Sequence, residues 1–217
     1  MIIIADSGST KTDWCIIEPG GVKTFFQTSG LNPVIMGEDV FRQKLTEELV
    51  PRVMSVYDVY HIEFFGAGCT PEKCIVVERI FQSLFPHAYR IRVAGDILGA
   101  AMALCGHEPG IAAILGTGSN SCFYDGKKII QHTPCLGYIL GDEGGSAVSS
   151  EWFSPVFFSS RSLVLISSSK ARRCLALSSS STRNFSRSAS ISCSNSFFLI
   201  SEIIKTRTAI ISPPPKR

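Results

Sequence analysis

Ile2-Ile3-Ile4-Ala5-Asp6-Ser7-Gly8-Ser9-Thr10-Lys11-Thr12 opens the chain and decides its fold class. Ile2–Ala5 is an apolar run of strand length, and Asp6–Thr10 is a tight segment of small polar residues at its end. Residues 12–18 and 22–28 read as two further strands, with Pro19-Gly20-Gly21 as the hairpin turn between them. Three strands in succession predict a meander whose first turn carries hydroxyls and a glycine instead of bulk.

Further along, residues 38–50 have Phe41, Leu45 and Leu49 on one helical face and Pro51 at the stop. His61–Phe65 reads as a strand. Thr70-Pro71 is a helix start, a hydroxyl cap followed by proline at the first position, and Val77, Ile80, Phe81 and Leu84 form the stripe of a helix ended by Pro86. Arg90–Ala94 reads as a strand, Asp96–Cys105 as a small-residue helix and Ile111–Leu115 as a strand. Residues 119–124 and 127–132 form a hairpin around Asp125-Gly126. The order β-β-β-α-β-α-β-α-β predicts an α/β fold on a mixed sheet, with loops at the strand ends, where open α/β sheets gather ligands.

Composition divides the 217 residues in two. Residues 1–150 carry 16 acidic and 11 basic side chains, whereas 151–217 carry 2 acidic and 10 basic. All 18 glycines and all seven aspartates lie before residue 146, and the last 67 residues contain 19 serines with scattered arginines. Such a segment lacks turn formers and offers little surface to offset chain entropy, although Phe157-Phe158, Leu163–Ile166 and Phe197–Ile200 are apolar. It lacks the motifs of a nucleic-acid arm, so no nucleic-acid partner is expected. A segment that orders on a partner is a second reading. The abruptness of the change favours a third, a reading-frame error or a truncation, with 149–217 poorly folded or disordered. No basic leader precedes Ile2–Ile4 and no uncharged stretch is long enough to span a bilayer, which points to the cytoplasm. The eight cysteines show neither CxxC nor zinc spacing and are expected to be reduced and mostly buried.

Four constellations could carry chemistry. In Asp6–Thr12, small residues let backbone N–H groups approach a phosphate, Ser9 and Thr10 add hydroxyl donors, Lys11 adds a cation, and Asp6 can hold a magnesium ion through water. An ordinary hairpin turn explains the same residues. In Leu115-Gly116-Thr117-Gly118-Ser119-Asn120, two glycines bracket a threonine in a flexible cradle suited to β- and γ-phosphates. Neither a Walker A pattern nor the third glycine of the dinucleotide fingerprint is present. Asp96, in Ala94-Gly95-Asp96, could accept a proton from a substrate hydroxyl, or simply cap the helix it starts. In Gly137–Gly145, the glycine-flanked acids Asp142 and Glu143 could grip sugar hydroxyls or form a solvated acidic turn.

Asp6–Thr12, Asp96, Leu115–Asn120 and Gly141–Gly144 occur together in the order and approximate spacing of the N-acetylglucosamine kinase and benzoyl-CoA-reductase-activator-like ATPase family. Over residues 1–148 the chain resembles that family, about half of a typical member. The resemblance implies an actin-like, ribonuclease H-like α/β fold. Residues 1–115 would form a first lobe with a mixed five-stranded sheet and flanking helices, 116–148 the first hairpins of an incomplete second lobe, and 149–217 would lie outside the family. ATP and Mg²⁺ are the implied cofactors and a small sugar the implied partner, with no membrane; a homodimer is open for the full-length family. By motif, Asp6, Gly8 and Thr10 belong to the first phosphate loop, Thr117 and Gly118 to the second, and Asp96 resembles the catalytic base and sugar ligand. Asn32, in Gly30-Leu31-Asn32-Pro33, matches a sugar-binding position, and Asp142 matches the acid near the N-acetylated sugar. Gly137 belongs to the same loop. The activators of the family need cysteines that hold an iron–sulfur cluster between subunits, and no such pair can be placed here, which favours a sugar kinase over an ATPase switch. Lacking most of the second lobe, the chain itself is expected to be inactive.

Overall fold

The computed structural model describes residues 1–115 and 118–133 and, as backbone alone, 162–167. Met1–Gly99 and Ala100–Arg217 form two compact units.

The first unit is built on a five-stranded mixed sheet. Strands β1 (Ile2–Ser7), β2 (Lys11–Ile17) and β3 (Lys23–Ser29) form an antiparallel meander, and β4 (His61–Gly66) and β5 (Arg90–Gly95) extend it in parallel on the other side of β1, in the order β3-β2-β1-β4-β5. The first strand runs two residues beyond the apolar run. Asp6 and Ser7 keep both ladders going, paired with Asp13 and Thr12 on one side and with Phe65 and Gly66 on the other. Gly20 and Gly21 turn the second hairpin at φ of 103° and 86°, a conformation in which glycine carries no Cβ penalty.

Alternation along the strands sorts two buried faces. Ile3, Ala5, Trp14, Ile16, Ile62, Phe64 and Val93 belong to the main core with Phe41, Leu45 and Leu49 and with Val77, Ile80 and Phe81 of α2 (Pro71–Leu84). Phe64 is its hub: its ring lies 6.1 Å from Trp14, 6.0 Å from Phe41 in an edge-on arrangement and 5.5 Å from Phe81. Thr70 caps α2 as its sequence predicts, its side chain accepting the Lys73 N–H. The opposite face carries Ile2, Ile4, Asp6, Asp13, Cys15, His61, Glu63 and Phe65, all nearly inaccessible. There His61 Nε2 meets Glu63 Oε1 at 3.0 Å, with Arg92 at 3.9 Å from the other oxygen of Glu63. Polar groups so enclosed need partners of this kind.

The helix expected over 38–50 is shorter. α1 covers Glu38–Lys44, Leu45–Leu49 continues as a wider π-helical turn, and Val50–Arg52 closes as a 3-10 turn. Phe41, Leu45 and Leu49 are spaced by four, so in a regular helix they drift around the axis; the wider i→i+5 turn holds all three against the core.

In the chain's second unit, β6 (Gly110–Leu115), β7 (Ser119–Tyr124) and β8 (Ile129–His132) repeat the meander. Asp125 Oδ1 accepts the N–H groups of Lys127 and Lys128 in the β7–β8 turn, where Gly126 has φ of 96°. On its other edge β6 pairs antiparallel with β9 (Ser162–Ser167), formed by the apolar run within the serine-rich segment. α3 (Asp96–Cys105) starts directly after β5 as the sequence predicts. Among the described residues no helix is long and apolar enough to cross a membrane. The described cysteines, 15, 69, 74, 105 and 122, are free thiols. Burial pushes Cys15 up to about 11 against the pull of Lys23, and Cys105 up to about 11 with help from Cys122.

Candidate functional site

Register fixes where the site forms in the first unit. Ser7, Gly66 and Gly95 are partners across β1, β4 and β5, so the three parallel strands end level. The residues that follow them, Gly8, Ala67 and Asp96, therefore leave the sheet along one carboxyl edge. β1 and β5 are two strands apart, about 10 Å at the usual interstrand spacing of ~4.8 Å.

The turn after β1 is tight. Gly8 donates its N–H to Lys11 O at 2.8 Å, so this N–H closes the hairpin and is not available to a phosphate. The exposed tip residues Ser9 and Thr10 keep their N–H groups, unbonded among the described residues, for that task. Behind the tip, the Ser7 and Thr12 hydroxyls share a hydrogen bond at 2.7 Å; Ser7 Oγ accepts the Leu31 N–H, and the carbonyl oxygens of Leu31 and Ser29 lie 3.0 Å from Ser7 Oγ and 3.1 Å from Thr12 Oγ1, ready for the hydroxyl proton that the pair does not use. These bonds bring residues 29–32 against the turn. A second clamp comes from α1 and its continuation: Glu48 accepts the Ser29 N–H at 2.7 Å and its hydroxyl at 2.6 Å, and Lys44 Nζ reaches the same hydroxyl at 2.7 Å. Desolvation raises the Glu48 carboxyl, but the Ser29 side-chain and backbone bonds and Lys44 outweigh it and hold the group below its ordinary value.

Gly30 is packed into the turn. A Cβ there would lie 2.3 Å from Ser9 O and 2.7 Å from Gly8 O, while its N–H donates to Thr10 O at 3.0 Å. Asn32, 8% exposed, donates from Nδ2 to Ser9 Oγ at 3.0 Å and accepts the Val34 N–H on Oδ1 at 3.0 Å. Gly68, two residues beyond β4, presses on the same amide at φ of 76°. The structure thus brings Gly8, Ser9, Thr10 and Asn32 together, with Asp96 on the same edge.

Asp6 is 1% exposed and faces Asp13 across the β1–β2 ladder. Asp13 is balanced by Lys11 Nζ at 3.4 Å and by Gln27 Nε2 at 2.5 Å. Lys11, expected to add a cation to a phosphate, is thereby anchored to this carboxylate. No group of three or more ligating side chains that could hold a metal occurs among the described residues. One buried carboxylate at a strand end suits a hydrated Mg²⁺ held through its waters rather than a directly ligated ion.

Asp96 combines the two roles its sequence leaves open. Its Oδ1 accepts the Ile97 N–H at 2.8 Å, so it finishes the start of α3, and it remains half-buried at the strand edge. Cys69 is its neighbour: burial, then Cys74 and Asp96, push that thiol far up.

Of the second constellation, Ser119 pairs with Leu115 at the start of β7 and Gly118 precedes it. Gly116 and Thr117, and likewise Gly137 and Asp142, lie outside the described residues. Sequence reasoning missed Gly30, Gly68, Asp13 and Glu48. The glycines in Ser29-Gly30-Leu31-Asn32 and Gly66-Ala67-Gly68 were the available signal, since glycine beside a site loop marks close backbone approach.

The mixed sheet, its flanking helices and the strand-end turns are those of an actin-like ATPase fold. Over its N-terminal portion the chain resembles the N-acetylglucosamine kinase family. It is 50% identical to a protein described as a putative N-acetylglucosamine kinase from Porphyromonas gingivalis, with a TM-score of 0.66 over 70% of this chain and 54% of that one. A second, from Chromobacterium violaceum and described in the same words, is 19% identical with a TM-score of 0.51 over 65% of this chain and 50% of that one, and shares the fold. The chain spans about half the length of each. No family model matches the chain, and no curated protein does.

Proposed function

We propose that residues 1–148 are the acceptor-binding and first phosphate-binding part of an ATP-dependent sugar kinase, with N-acetylglucosamine as acceptor. The observation that carries this reading is the shared edge: the Gly8–Thr10 turn and Asp96 leave β1 and β5 at one level, with Asn32 hydrogen-bonded to the turn. The identity to the Porphyromonas protein supports the choice of sugar.

In this reading each residue has a distinct task. Ser9 and Thr10 offer N–H and hydroxyl donors to phosphate oxygens, and Lys11, steadied by Asp13, adds positive charge beside them. Asp6 would hold a hydrated Mg²⁺, and Mg-ATP when bound would supply the γ-phosphoryl group together with the positive charge that offsets it. Asn32 donates to a sugar hydroxyl, and Asp96 receives the proton of the attacking hydroxyl. By motif, Gly116, Thr117, Gly118 and Ser119 take the second phosphate-loop role and Gly137 and Asp142 the role of recognising the N-acetylated sugar.

The test joins residues 1–148 to the remaining half of the Porphyromonas protein and measures ADP release with Mg-ATP and N-acetylglucosamine. Sugar-dependent release is expected, and Asp96→Asn should lower kcat by about 10²–10⁴, the usual contribution of a positioned base. Unchanged turnover would remove Asp96 from the mechanism. ADP release indifferent to sugar would select the ATPase switch instead.

A further inference from the structure

We propose that Asn32 and Ser9 form a directional hydrogen-bond relay tying the acceptor sugar to the phosphate turn, with Ser9 as a positioning residue and Gly68 as the spacer that keeps Asn32 in place. The proposal rests on the sugar-kinase reading above and assigns it a coupling that neither motif shows by itself.

A primary amide has two N–H donors and one carbonyl oxygen with two lone pairs. In Asn32 most of that capacity is committed. Oδ1 accepts the Val34 N–H and lies beside Gly68, where an added Cβ would come within 2.1 Å of it. One Nδ2 hydrogen goes to Ser9 Oγ. The donor that remains is a single N–H, on a side chain that is 8% exposed. That N–H needs an acceptor, and a sugar hydroxyl oxygen is such a group.

Ser9 is limited in the same way. Its hydroxyl already accepts from Asn32, so its one proton is left to donate, and it sits exposed at the tip of the turn. Read outward, one Nδ2 hydrogen goes to the sugar oxygen, the other goes to Ser9 Oγ, and the Ser9 proton goes to a phosphate oxygen. Both Nδ2 hydrogens belong to one planar amide, so orienting one on the sugar orients the other on Ser9. Gly68 holds that plane: any side chain at this position would displace Asn32 Oδ1, and its φ of 76° strains every residue but glycine.

The experiment is a chemical-shift titration of the full chain, labelled with ¹⁵N, with N-acetylglucosamine. In the wild type the Asn32 side-chain amide and the backbone amides of Gly8, Ser9 and Thr10 should shift together with one apparent affinity. In Ser9→Ala the Asn32 response should persist while the response of the turn is lost, and Ser9→Thr, which restores a hydroxyl, should recover it. A turn response undiminished in Ser9→Ala overturns the relay and leaves the sugar site standing. No Asn32 response in the wild type at saturating sugar overturns the acceptor reading, and the relay with it.

Discussion

Gly30→Ala is the sharpest perturbation of the phosphate turn, because it alters no charge, no hydrogen-bonding group and no positive-φ position. The added Cβ would lie 2.3 Å from the carbonyl oxygen of Ser9, and real Cβ atoms stay beyond 3.0 Å, so one side must retreat by at least 0.7 Å. Both neighbours, Ser9 O and Gly8 O, are backbone atoms of a closed hairpin, and the Gly30 N–H to Thr10 O bond crosses the same gap. Neither side can yield by rotating a side chain. Overpacking of this kind costs about 1–3 kcal/mol. In urea, with m of about 1–3 kcal/mol/M, the midpoint should fall by roughly 1 M. Trp14 is fully buried in the first unit, so its fluorescence in a Trp152→Phe background reports the transition. A midpoint equivalent to less than about 0.5 kcal/mol of change, the usual range for inert substitutions, would refute the claim that Gly30 is required by contact.

Other perturbations probe the core and the clamp. Phe64→Ala removes the ring shared by Trp14, Phe41 and Phe81 and should destabilise the chain by about 3–5 kcal/mol, measurable by the same unfolding curve. Gly68→Ala should cost about 1–2 kcal/mol from its left-handed backbone alone, and in the titration it should also weaken the Asn32 response to sugar. Glu48 sits below its ordinary value of 4.5 when folded, so its clamp on Ser29 stabilises the fold above that pH and is lost as the pH falls through the folded value. The stability gap between wild type and Glu48→Gln should accordingly be present at neutral pH and close in acid; a gap that does not change with pH would show that the carboxylate charge is not what holds Ser29.

The strands of the first sheet were legible because each is an apolar or alternating run bounded by glycine, proline or polar turns, and the first residues of α2 and α3 were legible because Thr70-Pro71 and Asp96 are helix-start residues. The break at Leu45 was not. A four-residue spacing of Phe41, Leu45 and Leu49 fits an α-helix locally, and only the position of the core decides that the turn must widen. The extension of β1 through Asp6 and Ser7 was likewise hidden, since polar side chains do not announce a strand that is paired on both sides. In the site, the turn and Asp96 could be found from residue type and position. Gly30 and Gly68 could not be placed, because what makes each necessary is a carbonyl or amide brought close by the fold from another part of the chain. The Lys11–Asp13 pair has the same character: two residues apart on a strand, they look independent until burial of the carboxylate forces it to find a cation.

The level ending of β1, β4 and β5 restricts how this lobe can change in length. One residue inserted within β4 would exchange its two faces, sending Glu63 into the aromatic core and Phe64 toward His61, and would push everything after it off the shared edge. The connections entering β4 and β5, residues 50–60 and 86–89, lie at the opposite ends of those strands and carry no such constraint. Insertions and deletions among relatives should therefore collect there, leaving the carboxyl edge fixed in length while the amino edge drifts.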